Sequence, residues 1–274
     1  MQFLTHPRRS RTPGYIHSMN VSVIRELEAY GRGIIRGITE PDRLLATQVW
    51  NTLNAMEYDA DLKLYLPFDE ASGATAHDLS GNGNTGTATG TTVVDGVFGK
   101  ARSFDGTDDY ITIADSASLD IAGSCSVELW VYATDAVVTQ QFISKSDGST
   151  YIALNIGYIG AGDDTIYFGF YEPSTWCRVF SNTTLPMSQW VHLAGTYDGA
   201  YLRIYINGAL ACTPVAETGA MPTGTGSLKL GEYAWDGLQN YTGYIDEARV
   251  CSRALSADET YLHYLAGAIK LGLI

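Results

Sequence analysis

The sequence predicts an all-β, antiparallel sandwich preceded by a short helical segment, and three observations carry that expectation. From residue 62 onward, short apolar-alternating runs recur at roughly 8–12-residue spacing with no helical period between them. Leu202, Ile204 and Ile206 alternate into Asn207-Gly208, the dipeptide of a type I′ hairpin. Finally, 29 glycines and 18 tyrosines in 274 residues favour a turn-rich β protein.

The front of the chain differs from the rest. Residues 1–60 hold seven Arg/Lys against six Asp/Glu, while the remainder holds ten against 24, so the net charge of −13 belongs to the second part. Residues 1–19 read as an extended basic arm. Val23, Ile24, Leu27, Tyr30 and Ile34 follow helical spacing until Gly31, Gly33 and Gly37 interrupt it. Thr39 caps a second helix, with Pro41 in its first turn and a stripe of Leu45, Val49, Leu53 and Met56. One helix pair buries too little to be a domain alone. Residues 1–60 are therefore expected to anchor the chain on the β domain, a sister subunit or another assembly protein. Arg8, Arg9 and Arg11 have no apolar stretch behind them, so no ordinary secretory signal is visible, and no run has the length of a membrane span. The acidic part repels phosphates, leaving the basic arm as the one plausible place for nucleic acid.

At Asp61 the strands begin. LKLYLPFD (62–69) leads into a polar, glycine-rich excursion, HDLSGNGNTGTATG (77–90), and then GKARSFDGTDDYITI (99–113). SVELWVY (126–132) alternates Val127, Leu129 and Val131 against Glu128, Trp130 and Tyr132, and Trp130 and Trp190 are assigned to sheet packing. QFISK, YIALNIG, TIYFGFY, WVHLAGTYDG, LRIYINGAL and SLKLGEY supply further strands. GYIDEARVCSRALSADE (243–259) reads as the closing strand, a turn and a helix start, with Ser256 and Glu259 forming a capping box. Ala248 and Val250 alternate on one face of that strand, and strict alternation puts Asp246 on the same inward face. A carboxylate there needs a partner. Cys125, Cys177, Cys212 and Cys251 lack zinc-site spacing; a Cys177–Cys212 bridge is conceivable, but free thiols are expected.

Seven motifs in order (YLPFDEASG, DLSGNGNTG, FGKARSFDGTDDYITI, SVELWVY, WVHLAGTYDG, LRIYINGAL and GYIDEARVCSRALSADE) resemble the laminin-G-like domains of the concanavalin A-like lectin/glucanase superfamily over residues 62–266. The resemblance implies a jelly-roll sandwich for residues 61–274 and often a structural calcium where the I-D-E aspartate points. Carried onto this chain it gives Asp78, Asp105 and Asp246 as ligands, with Asn82 or Asn84 lending an oxygen, because Ca²⁺ takes six to eight oxygens. The competing reading makes Asp78 and Asp105 turn residues and Asp246 an acceptor of backbone N–H groups.

Glycan binding needs aromatic faces beside amides and carboxylates. Tyr171, Glu172, Trp176 and Arg178 surround one expected loop, and Trp235, Asp236, Gln239, Asn240 and Tyr241 another. The alternative is that these aromatics cap the sandwich ends. Hydrolysis is not expected. The E-x-D-x-x-E strand of related glucanases occurs only as truncated Glu40/Asp42 and Glu57/Asp59, both before the β domain, with Leu45 and Leu62 at the last position. His192 is expected as a satisfied core histidine. The sequence therefore points to a non-catalytic surface or virion-type protein, anchored by its N-terminus and displaying an adhesion domain outside the cell. A free-standing lectin-like module is the alternative, and a glycosidase a distant third.

Overall fold

A computed structural model describes residues 59–134, 140–147, 155–156, 165–172, 175–221, 223–234 and 236–273. The N-terminal arm, the two expected helices that follow it, and Trp235 lie outside the described residues.

The chain begins with β1 (Leu62–Leu66), β2 (Thr75–Ala76), β3 (Gly86–Thr89), β4 (Thr92–Asp95), β5 (Lys100–Asp105) and β6 (Tyr110–Ile113). After one 3₁₀ turn come β7 (Cys125–Ala133), β8 (Ile143–Lys145), β9 (Asn155–Ile156), β10 (Thr165–Glu172) and β11 (Thr175–Thr184). Then follow β12 (Trp190–Tyr197), β13 (Tyr201–Ile206), β14 (Ala209–Leu210), β15 (Val215–Ala216), β16 (Leu228–Leu230), β17 (Thr242–Cys251) and helix α1 (Ala257–Lys270).

All described pairings are antiparallel and form two sheets. One sheet runs β14-β13-β12-β7-β17-β5-β4, with β1 added on β17 and β15 on β13; the other runs β11-β10-β9-β8-β16-β6-β3-β2. Their inner faces make the core. Val127, Leu129 and Val131 of β7 meet Ile166, Phe168 and Phe170 of β10 within one buried apolar cluster, as period-two alternation requires. The expected hairpin is present: Asn207 and Gly208 both have positive φ, as a type I′ turn demands. All four cysteines are buried free thiols.

The outer face of the first sheet is covered by α1. Its N-terminus carries the expected capping box, with Ser256 and Glu259 each accepting the other's backbone N–H. Arg253 pairs with Glu259 at 2.8 Å and with Asp59 at 2.7 Å, tying the described start of the chain to the helix entry. A Cβ at Gly267 would collide with the Trp130 indole. Glycine there lets the helix lie directly on the ring, which Val97, Phe98 and Leu265 also surround.

β17 corrects one expectation. The register against β7 slips between Asp246 and Arg249, and Glu247 has φ 56°. This β-bulge resets the alternation. Asp246 stands opposite Trp130 and Tyr244 opposite Tyr132, while Ile245, Ala248 and Val250 face the core. Asp246 is fully buried, yet under the helix layer rather than between the sheets.

Candidate functional site

The open face of the second sheet presents the chemistry most suited to a ligand. Along β10, Ile166, Phe168 and Phe170 point into the core, which turns Tyr167, Gly169 and Tyr171 to the other face, where Tyr167 is itself buried and Tyr171 half-buried. Along β11, Cys177, Val179 and Ser181 are buried, whereas Trp176, Arg178 and Phe180 are exposed. The register sets Tyr171 opposite Trp176, Gly169 opposite Arg178 and Tyr167 opposite Phe180. Ring centroids lie 5.1 Å apart for Tyr171–Trp176 and 6.0 Å for Tyr167–Phe180. The Arg178 guanidinium sits 5.5 Å from the Trp176 ring and 5.3 Å from Phe180. Any Cβ at Gly169 would run into the backbone of Cys177 and Arg178, so this row closes tightly only because that position is glycine.

Tyr171 and Trp176 are thus paired strand residues, not loop tips. Phe180 belongs with them and is absent from the sequence expectation. Its signal was the i, i+2, i+4 spacing of Trp176, Arg178 and Phe180, which places three large side chains on one strand face.

The second expected loop reaches the same face. Ala234 donates its backbone N–H to Ser144 Oγ at 2.9 Å, folding the segment after β16 over the sheet. Gln141 Nε2 bridges to Gln239 Oε1 at 2.7 Å and to the Tyr167 hydroxyl at 3.3 Å. Burial, followed by the neighbouring Tyr167 hydroxyl, pushes the Tyr233 phenol up to about 12. Residues 231–234 and 236–240 therefore lie beside the aromatic row. Asn240 is occupied in donating Nδ2 to the Thr107 carbonyl, which pins the 105–109 turn. Tyr241 is corrected outright. Its ring is fully buried, 5.0 Å from Phe142 and 5.9 Å from Phe104, with its hydroxyl donating to the Tyr244 carbonyl. It directly precedes β17 and has turned into the core, so no ligand can reach it.

The expected calcium ligands are not brought together. Asp78 uses both oxygens on the Tyr65, Ser80 and Asn84 amides and the Ser80 hydroxyl, at 2.8–3.0 Å. Asn82 and Asn84 donate to the Lys63 carbonyl. These residues hold a turn closed, as the competing reading has it. Asp105 accepts from the Thr107 amide and clusters with Asp108 and Asp109, whose ligand atoms lie within 4.8 Å of one another. Among the described residues this is the one such acidic group, and neither Asp78 nor Asp246 is in it.

Asp246 has different neighbours. Its Oδ2 accepts the Phe98 N–H at 3.1 Å, while Oδ1 is buried with no hydrogen-bond partner. Burial, then the charges of Glu247 and Asp69, push its carboxyl well above the usual range. Asp69, missing from the expected ligand set, accepts the Lys100 N–H at 2.9 Å. Cβ atoms at Gly96 and Gly99 would press into the Asp246 and Asp69 carboxylates respectively. The two glycines thus let the chain pack directly on both carboxylates, leaving one Asp246 oxygen buried without a partner.

Beside it runs a closed polar seam. Glu128 contacts His263 Nδ1 at 2.8 Å, and His192 Nε2 and Arg249 each at 3.5 Å. Burial opposes ionisation of Glu128, yet His263, His192 and Arg249 outweigh it and hold the carboxyl well below the usual range. Arg249 also pairs with Glu247 and lies 4.3 Å over the Tyr65 ring. His192 is buried, and neither ring nitrogen is within hydrogen-bonding geometry of a partner. Its one ion-pair neighbour among the described residues is Glu128, at 3.5 Å, so it is a core histidine paired more loosely than its strand suggests. Burial depresses its imidazole against the pull of Glu128.

The comparisons agree with this architecture. Domain 4 of the extracellular arabinanase AbnA of Geobacillus stearothermophilus, solved with arabinotriose, superposes with TM-score 0.58 at 24% identity, covering 73% of this chain and 97% of that one. The botulinum neurotoxin serotype D ligand-binding domain, solved with N-acetylneuraminic acid, gives TM-score 0.62 at 14% identity, covering 78% of this chain and 52% of that one. Trypanosoma rangeli sialidase gives TM-score 0.60 at 11% identity, covering 84% of this chain and 40% of that one. The chain thus spans about half of the toxin domain and less of the sialidase, and at these identities the likeness concerns fold. A search of curated protein sequences finds no match. A laminin G-type family model, described as the concanavalin A-like lectin/glucanases superfamily, matches residues 105–260, more than half of the chain. Motif order, sheet topology and that match together place this chain in the concanavalin A-like lectin/glucanases superfamily.

Proposed function

We propose that the sandwich is a non-catalytic recognition module that binds glycan on the open face of its second sheet. One observation carries the reading: exposed Trp176, Arg178 and Phe180, with half-buried Tyr171 beside Trp176, form a row of rings and one guanidinium, backed by the buried Tyr167 ring. Aromatic faces stack on the C–H faces of sugar rings, and the flanking amides suit hydroxyls. The sugars bound to the arabinanase domain and the toxin domain support the same class of ligand. Against catalysis stands the placing of the carboxylates. Glu128, Asp246 and Glu247 are sealed from solvent, and the described outward strand positions of the open face hold no carboxylate pair.

Affinity electrophoresis or calorimetry over a panel of neutral and acidic oligosaccharides tests this reading. Trp176→Ala is expected to weaken binding about tenfold or more, as loss of an anchoring aromatic does, with an unchanged melting temperature. Undiminished binding by that variant would move the ligand elsewhere.

Anchoring through residues 1–60 remains part of the proposal, with display on a virion or cell surface as its setting. It is supported by the Asp59–Arg253 clamp, which fixes the chain's entry on the α1 side, away from the aromatic row. A module held there would present that row outward. Light scattering of the whole chain is expected to report an oligomer, or a partner should be captured through residues 1–60. A monomer that captures nothing through that segment rejects anchoring.

A further inference from the structure

We infer that the aromatic row selects a sugar bearing a carboxylate, of the uronic or nonulosonic acid type; this rests on the glycan-binding reading and narrows it. The argument starts from Arg178. The chain carries 17 basic against 30 acidic residues, yet an arginine stands in the middle of its most aromatic exposed surface. Arg178 has no ion-pair partner among the described residues, whereas Arg102, Arg203, Arg249 and Arg253 each pair with an acid. Its guanidinium lies between two ring faces, 5.5 Å from Trp176 and 5.3 Å from Phe180. Such contacts engage the π surface of the guanidinium and leave its in-plane N–H donors for an acceptor.

The ligand chemistry follows from that geometry. A planar fork of N–H donors matches a carboxylate through two parallel hydrogen bonds. Gly169, directly opposite Arg178, has no side chain to compete for the fork. The exposed Trp176 and Phe180 rings on either side offer stacking surfaces to the sugar bearing the carboxylate or to its neighbours. A neutral sugar would stack equally well but leave the charged fork to water. The overall negative charge repels a polyanion at long range, and that repulsion is screened beyond about 8 Å at physiological ionic strength. Selection would therefore come from the short-range contact and show best with short oligomers in salt.

The test is calorimetric titration of the whole chain, at physiological salt, with short uronate oligomers and N-acetylneuraminic acid. Each is compared with its own methyl ester, which keeps the ring and removes the charge; neutral arabino-oligosaccharides and a sulfated oligosaccharide complete the set. The free acids are expected to bind about tenfold tighter than their esters, the order of a charge-assisted hydrogen-bond pair. Arg178→Gln should bring each acid and its ester to equal affinity, whatever the change in overall binding, and Trp176→Ala should weaken acid and ester together. Equal binding of acid and ester, a preference retained by Arg178→Gln, or a sulfated ligand bound as tightly as the carboxylates would each overturn the inference while leaving the glycan reading in place. If no sugar binds the folded protein, both readings fail.

Discussion

Glu128→Leu is expected to destabilise the folded domain by about 3–5 kcal/mol, the usual cost of removing one partner from a buried ionic cluster. For a domain of this size that corresponds to a fall in melting temperature of roughly 6–20 °C, at about 2–4 °C per kcal/mol. The reason lies in what the variant leaves behind. Arg249 keeps Glu247, but His263 loses the carboxylate at 2.8 Å, and His192 loses the one acid near it. His192, His263 and Glu247 are all but closed to water, beneath α1 and beside the Trp130 ring. Adding His263→Leu should recover part of the loss, since it removes the newly orphaned imidazole.

The sign with pH is fixed as well. Glu128 has a folded value well below its unfolded 4.5, so its contribution is present above pH 4.5 and is lost as the pH falls through the folded value. The gap between wild type and Glu128→Leu in thermal melts should be full at neutral pH and shrink in acid. A variant within about 1 kcal/mol of wild type at pH 7, the net value of an ordinary surface pair, would mean the seam is not a stabilising element.

Much of this fold was legible because its strands follow strict alternation. Val127, Leu129 and Val131 face the core as read, Asn207-Gly208 turns the hairpin, and Ser256 and Glu259 cap the helix. Each of these is a local rule that tertiary structure does not override. The misreadings have equally physical causes. Alternation carried through Glu247 puts Asp246 between the sheets, but a single bulged residue with positive φ changes the phase there, and no composition signal marks it. Tyr241 was read with its polar neighbours, yet it borders a core strand and its hydroxyl is satisfied by a backbone carbonyl. The aromatic row is only half legible. Trp176 and Arg178 were identifiable, while Phe180 and Tyr167 join them through the β10–β11 register, which a sequence does not state. Asp69 acts on Asp246, by like-charge repulsion, only through the turn that packs Gly96 on one carboxylate and Gly99 on the other.

That last pairing leads to the second large effect, on the metal-free protein. Asp246 is pushed well above its unfolded 3.8 by burial, then by Glu247 and Asp69, and Glu247 is pushed up to about 7 by burial against the pull of Arg249. A raised folded value stabilises only while the group stays protonated, so this contribution is complete below pH 3.8 and is lost as the pH rises through the folded values. In the presence of chelator, the melting temperature should therefore decline from about pH 4 to beyond pH 7, opposite in sign to the Glu128 effect. Calcium bound at Asp246, as the family resemblance implies, would compete with that proton. Its stabilisation should then be small in acid and grow with pH, reaching about 2.7 kcal/mol at a hundredfold excess over Kd. Asp246→Asn needs neither proton nor cation. It should melt at or above wild type in chelator at pH 8 and show no response to calcium. A wild type indifferent to calcium at every pH would remove the cation, whereas a calcium response surviving in Asp246→Asn but lost in Asp108→Asn would move it to the exposed Asp105–Asp108–Asp109 turn. In either case the bulge at Glu247 keeps its meaning, because it is what turns Asp246 out of the apolar core and toward Asp69.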